Sequence, residues 1–170
     1  WMGLRDFLAV HVLFYCGLRV GELVQLEARH FDVDAQILRI PGGKTGAGLV
    51  PMLRDVIEAF MSYETHRPKS SEPRFLLASN GYGVAMGPLT ESGVRQMLKR
   101  RCREAGIRHL PPHSMRHGLA MHLLNDRRVD ASLVQKILRH SNIKTTTETY
   151  ARWTMGAAAD EYRLKMEGRR

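Results

Sequence analysis

The stretch "LRHSNIKTTTETYAR", residues 138–152, sets Arg139, His140, a run of threonines and Tyr150 close together. A tyrosine placed there is either a surface-helix residue packed on a core or a nucleophile able to hold a covalent phosphodiester. Tyr15 sits in an apolar run, and Tyr63, Tyr82 and Tyr162 have no comparable polar neighbourhood, so Tyr150 is the candidate nucleophile. In "PHSMRHGLAMHLL", His113 and Arg116 are three residues apart and share a helix face. His113 and His117 also have the i, i+4 spacing of a zinc helix. Ser114 stands where the metalloprotease pattern has glutamate, and Arg116 would bring a fixed charge towards a dication, so metal is the weaker reading.

Two further pieces carry fixed positive charge. "CGLRVGELVQL" puts Arg19 between two glycines at the junction of two helices, where it is either aimed into a cleft or simply exposed at a helix start. "GGKTGAG" puts Lys44 on a glycine-rich turn without P-loop spacing. Such a lysine is a solvated hairpin tip, or a donor that the glycines bring close to a ligand. Together these groups suit phosphoryl transfer, whose catalysis is mainly positioning and charge stabilisation. Arginine grips two phosphate oxygens with one planar fork, histidine moves protons near neutral pH, and tyrosine supplies the nucleophile.

The elements that must position them read as mainly helical. Leu4 to Tyr15 is a buried helix ended by Gly17, followed by a short helix from Val20 to Leu26. "QILRI" and "LVPM" are two strands joined by the glycine-rich turn, and Arg54 to Tyr63 returns to a helical pattern. "RPKSSEPR" is a loop and "PRFLLAS" a short extended piece. Thr90 caps a long amphipathic helix through Arg103 that Gly106 closes. Pro111 and Pro112 introduce a helix from His113 or Ser114 to Leu124. Asp130-Ala131-Ser132 starts another, running to Leu138 or Arg139, and "GAAADEYRLKMEGRR" reads as a terminal helix. The expected fold is mainly α with a small antiparallel hairpin, an α+β arrangement.

Composition narrows the partner. The chain of 170 residues has 26 Lys and Arg against 17 Asp and Glu, a net charge of +9 that favours a polyanion, with nucleic acid the commonest. With 44% hydrophobic and 25% charged residues it is globular rather than disordered. Cys16 and Cys102 form no metal or redox spacing, and Cys16 reads as a buried thiol. No apolar run approaches a membrane span and no signal peptide opens the chain, so a cytoplasmic protein without membrane association is expected.

The order Arg19, Lys44, His113-x-x-Arg116, His140, Tyr150 resembles the tyrosine recombinases, the phage integrase family. "GLRVGEL", "GGKTG", "PHSMRH" and "LRHSNIKTT" look like its boxes, and the resemblance covers nearly the whole chain. It implies the catalytic-domain fold of that family over residues 1–170, with the usual N-terminal DNA-binding domain outside this chain. It also implies double-stranded DNA as substrate and a cyclic tetramer on DNA for the full-length protein, with no metal or nucleotide cofactor. In that scheme Arg19 and Arg116 clamp the scissile phosphate and His140 adds a donor. Lys44 protonates the leaving 5′ oxygen, His113 assists proton transfer at the tyrosine, Tyr150 attacks, and Glu22 supports the site.

Two departures from the family pattern stand out. Arg139 replaces the glycine usual before the third-box histidine; were that position left-handed, an arginine would cost about 1 kcal/mol, and a different local turn is the expectation. Tyr150 also lies one residue further from His140 than usual, which the threonine run can absorb in a loop. The rival functions are a catalytically silent DNA-binding remnant and a relaxing activity like that of type IB topoisomerases.

Overall fold

The computed structural model describes residues 1–42, 47–127 and 129–139. Helix α1 (Met2–Tyr15) buries Leu8, Ala9, Val12 and Leu13, the one-sided stripe its sequence spacing requires. It stops at Gly17, whose φ of +59° is left-handed. A Cβ on Gly17 would lie 2.7 Å from Leu138 Cδ2 and 3.0 Å from Leu119 Cδ2, so both backbone and space demand glycine.

Helix α2 (Val20–Leu23) is a single turn and ends before the expected Leu26. The i→i−4 ladder stops at Val24: the Gln25 and Leu26 N–H groups donate only three residues back, to Glu22 and Leu23, before the chain turns out to pair Leu26 with Phe75 and Glu27 with Arg74. The chain then forms β1 (Phe31–Asp32), β2 (Ile37–Ile40) and β3 (Gly48–Pro51), an antiparallel sheet in that order with Ile37 opposite Pro51 and Ile40 opposite Gly48. Leu38, Ile40 and Val50 point into the core while Arg39 and Leu49 face out. The expected hairpin is therefore the larger part of a three-stranded sheet.

Helix α3 (Arg54–His66) runs one turn-fraction beyond Tyr63 and packs on α1. Within "PRFLLAS", β4 (Leu77–Ser79) pairs with β5 (Ala85–Pro88), a second small sheet that the sequence pattern does not announce. Helix α4 (Glu91–Glu104) starts at Thr90, whose Oγ1 accepts from the Gly93 N–H at 3.1 Å. Helix α5 (Pro112–Met121) passes into a π turn over His122–Asp126, so the regular helix ends short of Leu124. Helix α6 (Ala131–Leu138) is capped by Asp130, whose Oδ1 accepts from the Ser132 N–H at 2.8 Å. The expected terminal helix lies outside the described residues.

The core is centred on α1, α3 and the first sheet, with Phe31, Phe60 and Phe75 in mutual ring contact and Tyr63 edge-on to Phe75. The Tyr63 hydroxyl donates to the Phe75 carbonyl and accepts from the Leu77 N–H, both at 3.3 Å, a structural assignment for that tyrosine. Tyr82 is 94% exposed on the β4–β5 turn. Asp6, buried on α1, pairs with Arg5 at 2.5 Å, Arg101 at 2.7 Å and Arg100 at 3.1 Å, joining α1 to α4. Among the described residues no helix is long and apolar enough to cross a membrane.

Candidate active site

Helix α5 carries Arg116 on its buried side, with Met115, Leu119 and Ala120 forming the packed stripe. Arg116 is 7% exposed, and its guanidinium reaches two helix ends at once. Nη1 donates to the Gly17 carbonyl and Nη2 to the Leu138 carbonyl. Both carbonyls sit where a helix terminates and leaves acceptors without intrahelical partners, at the negative end of its dipole. Among the described residues two of the five guanidinium hydrogens are used in this way, which leaves donors that can serve an anion.

Arg19 stands two residues after the Gly17 turn, as the N-cap of α2. Its backbone N–H donates to Glu22 Oε2 at 2.8 Å, and its Nη1 lies 3.2 Å from Glu22 Oε1. Glu22 thus holds both the backbone and the head of Arg19, whose side chain remains 37% exposed. A guanidinium fixed through Glu22 and partly exposed to solvent is within reach of an external anion.

Arg139 is the third cation of the group. It is the C-cap of α6 with φ 55° and ψ 44°, so the left-handed turn is kept despite the side chain, contrary to the expectation of a different turn. Its Nη2 pairs with Glu22 Oε2 at 2.8 Å, and its Cδ would lie 2.5 Å from a Cβ on Gly48. Gly48 is therefore the floor on which the Arg139 stem rests. The sequence marks Arg139 only as a departure from pattern; nothing in it points to Glu22, 117 residues away.

These charges shape each other. Burial pushes the Glu22 carboxyl up, but the Arg19 N–H and the charges of Arg139, Arg19 and Arg116 together bring it below the ordinary value. Burial brings Arg116 down to about 10, helped by Arg19 and Arg139 and opposed by Glu22, so it stays cationic at neutral pH. Burial lifts the Cys16 thiol to about 12, which makes it an inert core group. The result is an electropositive site with one anchored carboxylate.

Of the other sequence candidates, His113 is exposed near the start of α5. Three residues of helix place it roughly 60° around from Arg116, so it lies at the open edge of the face they share. Lys44, His140 and Tyr150 lie outside the described residues. Among the described residues no group of three or more His, Cys, Asp or Glu is placed to hold a metal ion. A cavity of about 730 Å³ lined by Arg5, Met97, Arg100 and His109 does not include Arg19, Glu22, Arg116 or Arg139. The arginine site is thus separate from that cavity, and Arg19 meets solvent directly.

The sequence matches the phage integrase family over residues 2–156, and the chain belongs to that family. It is 32% identical over 148 residues to "Tyrosine recombinase XerC" of Staphylococcus epidermidis, covering 85% of this chain and 48% of that protein. It is also 32% identical over 152 residues to "Tyrosine recombinase XerA" of Pyrococcus furiosus, covering 89% and 51%. Among solved structures, XerA recombinase superposes with a TM-score of 0.75 at 27% identity over 86% of this chain and 51% of that one. XerH site-specific recombinase bound to difH substrate, in a pre-cleavage complex, gives 0.70 at 25% identity over 92% and 45%. The fold is that of the tyrosine recombinase catalytic domain, and the chain spans about half the length of the curated relatives it matches.

Proposed function

We propose that this chain is the catalytic domain of a site-specific tyrosine recombinase, cleaving and rejoining double-stranded DNA without metal or nucleotide cofactor. The observation that carries the reading is the convergence of Arg19, Glu22 and Arg116 around the Gly17 turn: two arginines of different helices, one part-exposed and held by Glu22, one buried and held by backbone carbonyls. Net charge of +9 and relatives that act on DNA support it.

In this scheme Arg19 and Arg116 bind the non-bridging oxygens of the scissile phosphate, with His140 as a further donor. The Tyr150 hydroxyl attacks phosphorus, with His113 assisting removal of its proton. A bond forms from the tyrosyl oxygen to phosphorus while the bond to the 5′ oxygen breaks, and Lys44 protonates that leaving oxygen. The product is a 3′-phosphotyrosyl link that keeps the phosphodiester energy for rejoining. Assembly into a cyclic tetramer on DNA, with help from a DNA-binding domain outside residues 1–170, completes the proposal.

The test is a nicked suicide duplex, from which the cleaved fragment diffuses away and traps the adduct. A covalent protein–DNA band is expected. Tight duplex binding without any band would favour a silent DNA-binding domain instead.

A further inference from the structure

We propose that Arg139 is a positioning residue of this site: by pairing with Glu22 and occupying the space over Gly48, it holds α2 with Arg19, strand β3 and the end of α6 in one arrangement. The role in catalysis rests on the recombinase reading above, whereas the hold on Glu22 stands by itself.

The backbone argument comes first. Arg139 adopts a left-handed conformation that disfavours any side chain, so its side chain must make contacts that offset the strain. Those contacts are specific. Nη2 meets Glu22 Oε2 at 2.8 Å in a pair only 14% and 13% exposed. The same carboxylate oxygen accepts the N-cap N–H of Arg19, so Arg139 and Arg19 are joined through one atom.

Packing fixes the other end. Gly48 opens β3, opposite Ile40, and the Arg139 stem lies where a Cβ of residue 48 would be. The side chain therefore touches the strand that follows Lys44 in the sequence. Nε and Nη1 are buried and have no hydrogen-bond partner among the described residues.

The groups facing Glu22 are Arg19 at its own helix start, Arg116 from α5 and Arg139 after α6, with Glu91 of α4 against neighbouring Gly21. Of the three cations, Arg139 and Arg19 contact the carboxylate directly. Removing the Arg139 charge should therefore raise the Glu22 titration and loosen Arg19.

The experiment follows the Glu22 carboxyl by ¹³C NMR titration of the whole chain, assigned by its loss in Glu22→Gln, alongside single-turnover cleavage of a suicide duplex across pH. Arg139→Met should raise the Glu22 titration and slow cleavage by roughly tenfold to a hundredfold. The acid limb of the rate profile should move upward and duplex affinity should hold. Arg139→Lys should restore part of both effects. Gly48→Ala displaces the Arg139 stem without removing its charge, and should raise the Glu22 titration too; it decides the matter if Arg139→Met does not fold. An unmoved Glu22 titration in the folded variants overturns the proposal, and so does a moved titration with unaltered cleavage. If the wild type forms no adduct, the recombinase reading and Arg139's part in catalysis fall together, while the titration still decides the hold on Glu22.

Discussion

Arg116 donates from its buried guanidinium to the carbonyl of Gly17, the residue whose left-handed turn ends α1. The turn that Arg19 follows is thereby fixed by the other arginine of the site. Gly17→Ala should disturb both. Its Cβ would meet Leu138 Cδ2, which is fully buried and has little room to yield. Overpacking costs about 1–3 kcal/mol, and the left-handed backbone adds about 1 kcal/mol. Urea unfolding should show a lower midpoint with an unchanged slope.

Lysine substitution should separate the two arginines. Arg19→Lys keeps the charge but loses the fork at a partly exposed position. Cleavage should fall by roughly 10²–10³-fold with Tm nearly unchanged. Arg116→Lys should abolish cleavage as well, but also lower Tm, because at least one buried carbonyl would lose its donor at a cost of about 1–3 kcal/mol. Equal Tm losses in both variants would contradict the geometry.

Acid should weaken the site through Glu22. Its carboxyl titrates below its unfolded value, so its ionised form stabilises the fold above the unfolded pKa. That contribution is lost as pH falls through the folded pKa, below the ordinary carboxylate range of about 4.3. The stability gap between wild type and Glu22→Gln, measured by chemical denaturation, should be largest near neutrality and shrink as the acid range is entered.

Duplex binding should depend steeply on salt. With a net charge of +9, much of the affinity comes from counterion release, so log affinity should fall linearly with log salt. Fluorescence anisotropy with a labelled duplex measures it. Absence of binding at low ionic strength would count against DNA as the partner.

Local signals in the sequence were legible where local chemistry decides the structure. Thr90 and Asp130 cap their helices as their residue types suggest, and Gly17 ends α1 because no side chain fits there. Helix α2 is shorter than its pattern suggests because the bonds after Val24 tighten to three-residue turns and the chain leaves to pair with Phe75 and Arg74, partners far along the chain. The β4–β5 pair was missed because its strands are short and its glycine-rich connection reads as loop. In the candidate site, the motif order points to Arg19 and Arg116, and the family resemblance adds Glu22. Their partners were not legible: Arg116 reaches carbonyls 99 and 22 residues away, and Arg139 reaches a carboxylate across the molecule. Tertiary packing makes those contacts, and no spacing in the sequence encodes them.

The central claim is that Tyr150 becomes joined to DNA, and adduct mapping tests it most directly. Wild type and Tyr150→Phe are incubated with a nicked suicide duplex, and the DNA-linked peptide is identified by mass spectrometry after nuclease and trypsin digestion. The account predicts a phosphotyrosyl peptide containing Tyr150 in the wild type. It predicts no adduct in Tyr150→Phe, with Tm and duplex affinity preserved. An adduct that persists in Tyr150→Phe and maps to Tyr162 or another tyrosine would contradict it.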